Sequence, residues 1–209
     1  MKNIILTFMI LLVGTLFFFL GTKGNPEIKT SKIIEESEML YVNFNIPKVV
    51  GVKKDIEEKI NLKIRSDVDE FRKSVEAFAI PEEGIEIEYS ATVDYVYGNI
   101  EDNKVSLVLD FTSYTGGAHD NTNRVTYNYD VETGEELKLD MVTEKPFETI
   151  KEDIEKKIES EKEKYFEGTE IVIDNSSMFY LRDNKIIIYY NQYDIAPYAA
   201  GIIEFEVKE

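Results

Sequence analysis

The chain of 209 residues has a single histidine and no cysteine, which narrows its chemistry at once. His119 closes the run Ser113-Tyr114-Thr115-Gly116-Gly117-Ala118-His119, which follows a strand-like stretch from Val105 to Phe111. As a general base, His119 would need a carboxylate to orient it and a nucleophile beside it. Ser113 and Asp120 lie close in sequence, but there is no Gly-x-Ser-x-Gly elbow to present a serine. A hydrolase using His119 is therefore the third reading. Ahead of it stands a structural or recognition role, with the imidazole tying the Gly-Gly loop to neighbouring backbone. The absence of cysteine removes thiolate catalysis, and one histidine does not make a common zinc site. Asp120-Asn121-Thr122-Asn123 only faintly echoes a calcium loop. No metal, cofactor or catalytic residue is expected.

The tyrosines say more. Tyr114 sits in the glycine loop, and Tyr193 and Tyr198 sit in a second unusual stretch, Tyr193-Asp194-Ile195-Ala196-Pro197-Tyr198-Ala199-Ala200-Gly201. These positions fall between strand-like segments rather than on alternating core faces. Tyrosine offers a large, stiff contact area with a polar tip, and Pro197 would lower the ordering cost of a binding loop. Gly116 and Gly117 supply backbone angles closed to other residues, so the first loop can turn sharply. The alternative is that these rings plug the ends of a sheet.

The surrounding elements follow from periodicity. Leu40, Val42, Phe44 and Ile46 alternate in a first strand that Pro47 should end. From Lys53 to Phe78, apolar residues recur every three or four positions (Ile56, Ile60, Ile64, Val68, Phe71, Val75 and Phe78), which predicts a long amphipathic helix. Pro81-Glu82-Glu83-Gly84 turns the chain into strict alternation from Ile85 to Tyr97. A polar turn at Asn99–Asn103 and a strand over 105–111 then complete a hairpin. A strand over 125–131 leads into a bulged turn with Gly134 at the left-handed position. A second helix begins near Pro146, its stripe made by Phe147, Ile150, Ile154 and Ile158. The remainder reads as strands at 171–173, 178–181, 185–190 and 202–207, with a tight Asp183-Asn184 turn. No βαβα rhythm is apparent. The expected fold is α+β: antiparallel sheets with two long helices on one face.

Ahead of all this, Met1-Lys2-Asn3 precedes an unbroken apolar run from Ile4 to Leu20. At ~1.5 Å per residue the run is at the short limit for crossing a bilayer. No Ala-x-Ala pattern follows, so residues 1–24 read as a signal anchor or a signal peptide. Either way the rest of the chain is extracytoplasmic, tethered through residues 25–38 or secreted. Past the leader, 22 basic face 41 acidic side chains, a balance of −19. Nucleic acid and anionic wall polymers suit such a surface poorly, whereas a basic protein would be drawn to it.

Three stretches together, Ser113–His119, the hairpin Tyr129-Asp130…Thr133-Gly134-Glu135-Glu136-Leu137, and Tyr193–Gly201, resemble a known exported domain pair. It is the pair of domains of unknown function 4163 and 3298. This pair forms the RsiV-like, lysozyme-binding ectodomain of anti-sigma-V factors and the region N-terminal to the catalytic domain of PdaC-like peptidoglycan deacetylases. The resemblance runs from about residue 39 to the C-terminus. It divides the chain into a 4163-like part at 39–112 and a 3298-like part at 113–209, packed as one compact unit. It implies an α+β ectodomain that binds lysozyme and covers its cleft. Only three residues precede the apolar run, and no deacetylase domain with His and Asp metal ligands follows. Neither sigma-factor control nor deacetylation is therefore expected. Gln192 stands where the family's loop would carry a proline. The leading expectation is a non-enzymatic binding domain for lysozyme or a related basic hydrolase, with Tyr114, Gly116, Gly117, His119, Tyr193, Pro197 and Tyr198 at the contact. A peptidoglycan-glycan-binding accessory domain is the alternative.

Overall fold

A computed structural model describes residues 25–79 and 88–208. The apolar leader, the Pro81–Gly84 turn and the Ile85 and Ile87 positions lie outside the described residues. Among the described residues, no helix is long and apolar enough to cross a membrane.

Among the described residues, eight strands form two sheets and two long helices cover them. The first sheet holds β1 (Glu27–Glu36), β2 (Leu40–Val50), β3 (Tyr89–Glu101), β4 (Lys104–Tyr114) and β5 (Asn121–Asp130), in that spatial order. Helix α1 (Lys54–Glu76) packs its Ile56, Ile60, Ile64 and Val68 stripe onto Val42, Phe44, Ala91, Val93, Leu107 and Leu109. The Phe71 ring meets Phe111 edge-on, with centroids 5.2 Å apart. The second sheet holds β6 (Phe179–Arg182), β7 (Lys185–Tyr190) and β8 (Ile203–Val207). Helix α2 (Phe147–Ser160) seals one face of it through Ile150 and Ile154, against Phe179, Ile186, Ile188 and Phe205. The alternate residues Tyr180, Ile187 and Tyr189 face the first sheet and pack with Val108 and Tyr97. The order of layers is thus helix, sheet, sheet, helix. Each helix covers the outer side of its own sheet, rather than both sharing one face.

Several expectations need correction. The polar stretch 25–38 is not a bare tether: Glu27–Glu36 pairs antiparallel with β2 over its whole length. It escapes hydrophobic alternation because it is an edge strand exposed at nearly every position. Pro47 does not end β2. It lies opposite Thr30, next to the edge strand, and β2 runs on to Val50. The first sheet is not purely antiparallel, since β2 and β3 are parallel and α1 is the crossover between them. One βαβ unit is therefore present, without a repeated βαβα alternation among the described residues. A register shift between Tyr95 and Tyr97 breaks the alternation, so Tyr95 stays on the α1 side while Tyr97 turns to the second sheet. The segment 171–173 is not a strand, although Ile171 is buried in the second core. The boundary drawn at 112/113 falls within β4, and β5 completes the same sheet.

Turn chemistry matches the expectation closely. Asp102-Asn103 and Asp183-Asn184 both take positive φ, which closes two-residue hairpins. Gly134 has φ of 72°, and the Asp130 carboxylate accepts from the N–H groups of Glu132 and Thr133.

Beyond the end of its pairing with β3, strand β2 would leave the Val49 N–H and C=O buried and unmade. The Asn61 amide on α1 takes both, at 2.9 and 2.7 Å. Asn61→Ala is expected to cost about 2–3 kcal/mol, because two buried backbone groups lose their partner. Urea unfolding of the variant would measure it, and a loss within a few tenths of zero would mean that water replaces the amide.

Candidate functional site: an exposed histidine–tyrosine stack

The two unusual loops leave different sheets and meet. The first joins β4 to β5, turning at Gly116 with φ of 88°. Gly117 is not in the left-handed region, and a Cβ there would meet only the His119 carbonyl oxygen at 3.6 Å. One glycine, not two, is needed for the turn. The second loop runs from Asn191 to Gly201 and is pinned at its base by side chains acting like backbone. Asn191 Oδ1 accepts the Arg124 N–H at 2.6 Å while its Nδ2 donates to the Arg124 carbonyl at 3.3 Å. Gln192 Oε1 accepts the Thr122 N–H at 2.8 Å. The residue standing where a proline was expected therefore ties the loop to β5 by a hydrogen bond. Asp194 closes the turn onto the Asn191 N–H at 2.7 Å, and Ile195 and Ala196 are buried. Pro197 is exposed at φ −61° and caps the short 3-10 turn that carries Tyr198.

This framework sets three rings side by side. Tyr198 stacks on His119 with centroids 3.7 Å apart and planes 19° apart. Tyr193, at a positive φ of 69° uncommon for a tyrosine, brings its Oη to 3.2 Å from His119 Nε2. The Tyr198 O–H donates to the Asp120 carboxylate at 2.5 Å, and His119 Nδ1 lies 2.6 Å from the Asp120 carbonyl oxygen. A carbonyl only accepts, so Nδ1 carries a proton, and Nε2 is the ring nitrogen that meets the Tyr193 hydroxyl. The hydrogen bond to Asp120, followed by burial and the carboxylate's charge, raises the Tyr198 phenol pKa. Tyr193 remains 50% exposed. Tyr114, the last residue of β4, is half-buried opposite Ser90 and takes no part in the stack. Among the described residues, no serine oxygen and no carboxylate touches the imidazole nitrogens.

Beneath the loops lies a group that sequence reasoning missed. Arg124 on β5 is buried and grips Asp110 on β4 through two nitrogens, at 2.7 and 2.9 Å. It reaches across to Glu204 on β8, which also accepts from the Tyr180 O–H at 2.9 Å. Burial acts to lower the Arg124 pKa, and the two carboxylates outweigh it, so the net direction is up. The cluster clamps the first sheet to the second directly below the stack. Only its lone arginine within a β-alternating run could have flagged it. Asp120 was visible merely as a neighbour of His119.

The α+β fold of two sheets has known relatives. The chain is similar to two families. The model for "Deacetylase PdaC" matches residues 33–122, and that for "Protein of unknown function (DUF3298)" matches residues 139–208. Among solved structures, a member of the DUF3298 family from Bacteroides fragilis superposes with a TM-score of 0.63 at 19% identity. That match covers 88% of this chain and 91% of the other. A DUF3298 family protein from Pseudomonas aeruginosa gives a TM-score of 0.60 at 17% identity, covering 87% and 89%. These likenesses establish the shared fold. No curated protein sequence matches the chain.

Proposed function

We propose that this is an exported, non-enzymatic binding domain that recognises lysozyme or a related basic cell-wall hydrolase through the His119–Tyr193–Tyr198 stack. The observation that carries the reading is the stack itself: three rings from two loops, partly exposed and held by side-chain bonds rather than by core burial. A preordered aromatic patch loses little entropy on binding, and stiff tyrosines are the anchors that protein interfaces favour. The acidic balance of the chain, −17 overall, adds salt-dependent steering of a basic partner. Export rests on the apolar run Ile4–Leu20, which reads as a signal anchor or signal peptide.

Tyr198→Ala tests the loop assignment. It removes the ring stacked on His119 and frees Asp120, so affinity for hen-type lysozyme is expected to fall about thirtyfold while thermal stability changes little. Calorimetric titration of the variant checks this, and unchanged affinity would move the contact elsewhere.

The stack also favours a second reading, since flat exposed rings suit sugar faces. A glycan would keep its affinity as salt rises, whereas a basic protein's would weaken. A hydrolase using His119 is the third reading, and it requires that His119→Ala abolish turnover.

A further inference from the structure

The second sheet ends in an open edge, because β8 is bonded to β7 alone. Which of its backbone groups face out follows from the Asp183-Asn184 turn. A two-residue turn makes the flanking Arg182 and Lys185 a hydrogen-bonded pair, so Lys185, Ile187 and Tyr189 of β7 bond to β6. The Tyr189 N–H, 3.0 Å from the Met178 carbonyl oxygen, keeps that phase. Ile186, Ile188 and Tyr190 therefore bond to Val207, Phe205 and Ile203, and the N–H and C=O of Glu204 and Glu206 point outward. Among the described residues, none of these outward groups has a hydrogen-bond partner. Just past the strand, the Lys145 ammonium takes the Lys208 carbonyl at 2.6 Å.

A groove of about 640 Å³ lies between this end of β8 and α2. Its apolar lining is Ile150, Ile154, Phe205 and Val207, and Lys145, Lys156, Lys157 and Lys208 surround it. The chain carries 41 acidic residues against 24 basic ones, so four lysines on one groove stand out. Of the two carboxylates there, Glu206 is paired with Lys185 at 3.0 Å, and Asp153 lies between Lys145 and Lys156. Lys157 makes no salt bridge among the described residues, and its Nζ stands 5.2 Å from the centre of the Phe205 ring.

We propose that β8 and this groove dock an acidic, extended segment of another protein, added to the second sheet as a further strand. Such a segment would take the free backbone groups of Glu204 and Glu206. Its alternate side chains would then reach the apolar lining, and its carboxylates the surrounding ammonium groups. Charge also argues against a second copy of this chain. Antiparallel pairing between copies sets glutamate against glutamate in every register that joins these outward residues. The site uses no residue of the ring stack. The loop that carries the stack enters β8 at its start, whereas the groove lies at the other end of the strand.

The test uses a capped heptapeptide of alternating glutamate and valine, titrated into the chain from Asn25 onward, which contains all of the described fold. Backbone amide spectra are expected to show their largest shifts at Glu204 and Glu206, with slowed hydrogen exchange at both. A fully N-methylated peptide keeps the charges but offers no N–H, and it should not bind. Lys156 and Lys157 are exposed, so replacing both with glutamate should leave the melting temperature unchanged while weakening the peptide about tenfold or more. Tyr198→Ala should leave this binding unchanged, which separates it from the lysozyme reading. Unshifted Glu204 and Glu206 amides in the unmodified protein would overturn the proposal. So would equal affinity for the N-methylated peptide, or a dimer of the chain that itself occupies the β8 edge.

Discussion

Arg124→Ala is expected to lower folding stability by about 3–5 kcal/mol. The guanidinium is nine-tenths buried, and Asp110 and Glu204 beside it are also largely withdrawn from water. Removing the cation leaves two carboxylates facing each other with no counter-charge, and the Tyr180 phenol then bonds to one of them. The loss comes mainly from those stranded charges rather than from the value of the ion pair. Replacing all three together, Asp110→Leu, Arg124→Met and Glu204→Leu, should therefore recover much of the stability that Arg124→Ala removes. Urea denaturation of the two variants checks the pair of expectations. A triple variant as unstable as the single one would mean that the cluster contributes by its own hydrogen bonds.

Alkaline pH is expected to unfold the protein from within. Burial, ahead of every other cause, raises the phenol pKa values of Tyr129, Tyr189 and Tyr190 to about 12. Tyr127 and Tyr180 are pushed up too, with a carboxylate, Asp67 or Glu204, adding to the burial. The native state thus holds these protons after the unfolded chain has released them. Stability is complete below pH ~10, where unfolded tyrosine begins to ionise, and it falls as pH rises towards 12 through the native values. Each residue contributes to the slope, so the melting temperature should drop steeply between about pH 10 and about pH 12. Tyr129→Phe removes one titrating group, and its curve should be measurably flatter. A melting temperature constant across that range would mean that water reaches these phenols in the native state.

Much of the fold was legible because it rests on local periodicity. The α1 stripe at Ile56, Ile60, Ile64 and Val68 is buried as its spacing requires, and so are Ile150 and Ile154 of α2. The Asp183-Asn184 turn follows from residues that tolerate positive φ. Three other features left no local trace. Strand β1 has water on most of its surface, so no alternation betrays it. The parallel pairing of β2 with β3 depends on where α1 lands, which is a tertiary choice. The shift after Tyr95 moves Tyr97 between two cores while the sequence pattern continues unchanged. For the site, His119, Tyr193 and Tyr198 stood out by type and by their place in glycine- and proline-marked loops. Their meeting did not, because it spans more than seventy residues of chain and is arranged by Asn191 and Gln192, whose amides are unremarkable in sequence. Tyr114 shared the glycine loop and the chemistry, yet strand pairing with Ser90 holds it at the end of β4.

The most direct test of the binding reading is calorimetric titration of the chain from Asn25 onward with hen-type lysozyme, at low and at moderate salt. The stacked tyrosines and the acidic surface together predict submicromolar affinity that weakens with salt but survives it, with loss of muramidase activity in the complex. No heat of binding at either salt, with muramidase activity intact, would contradict it.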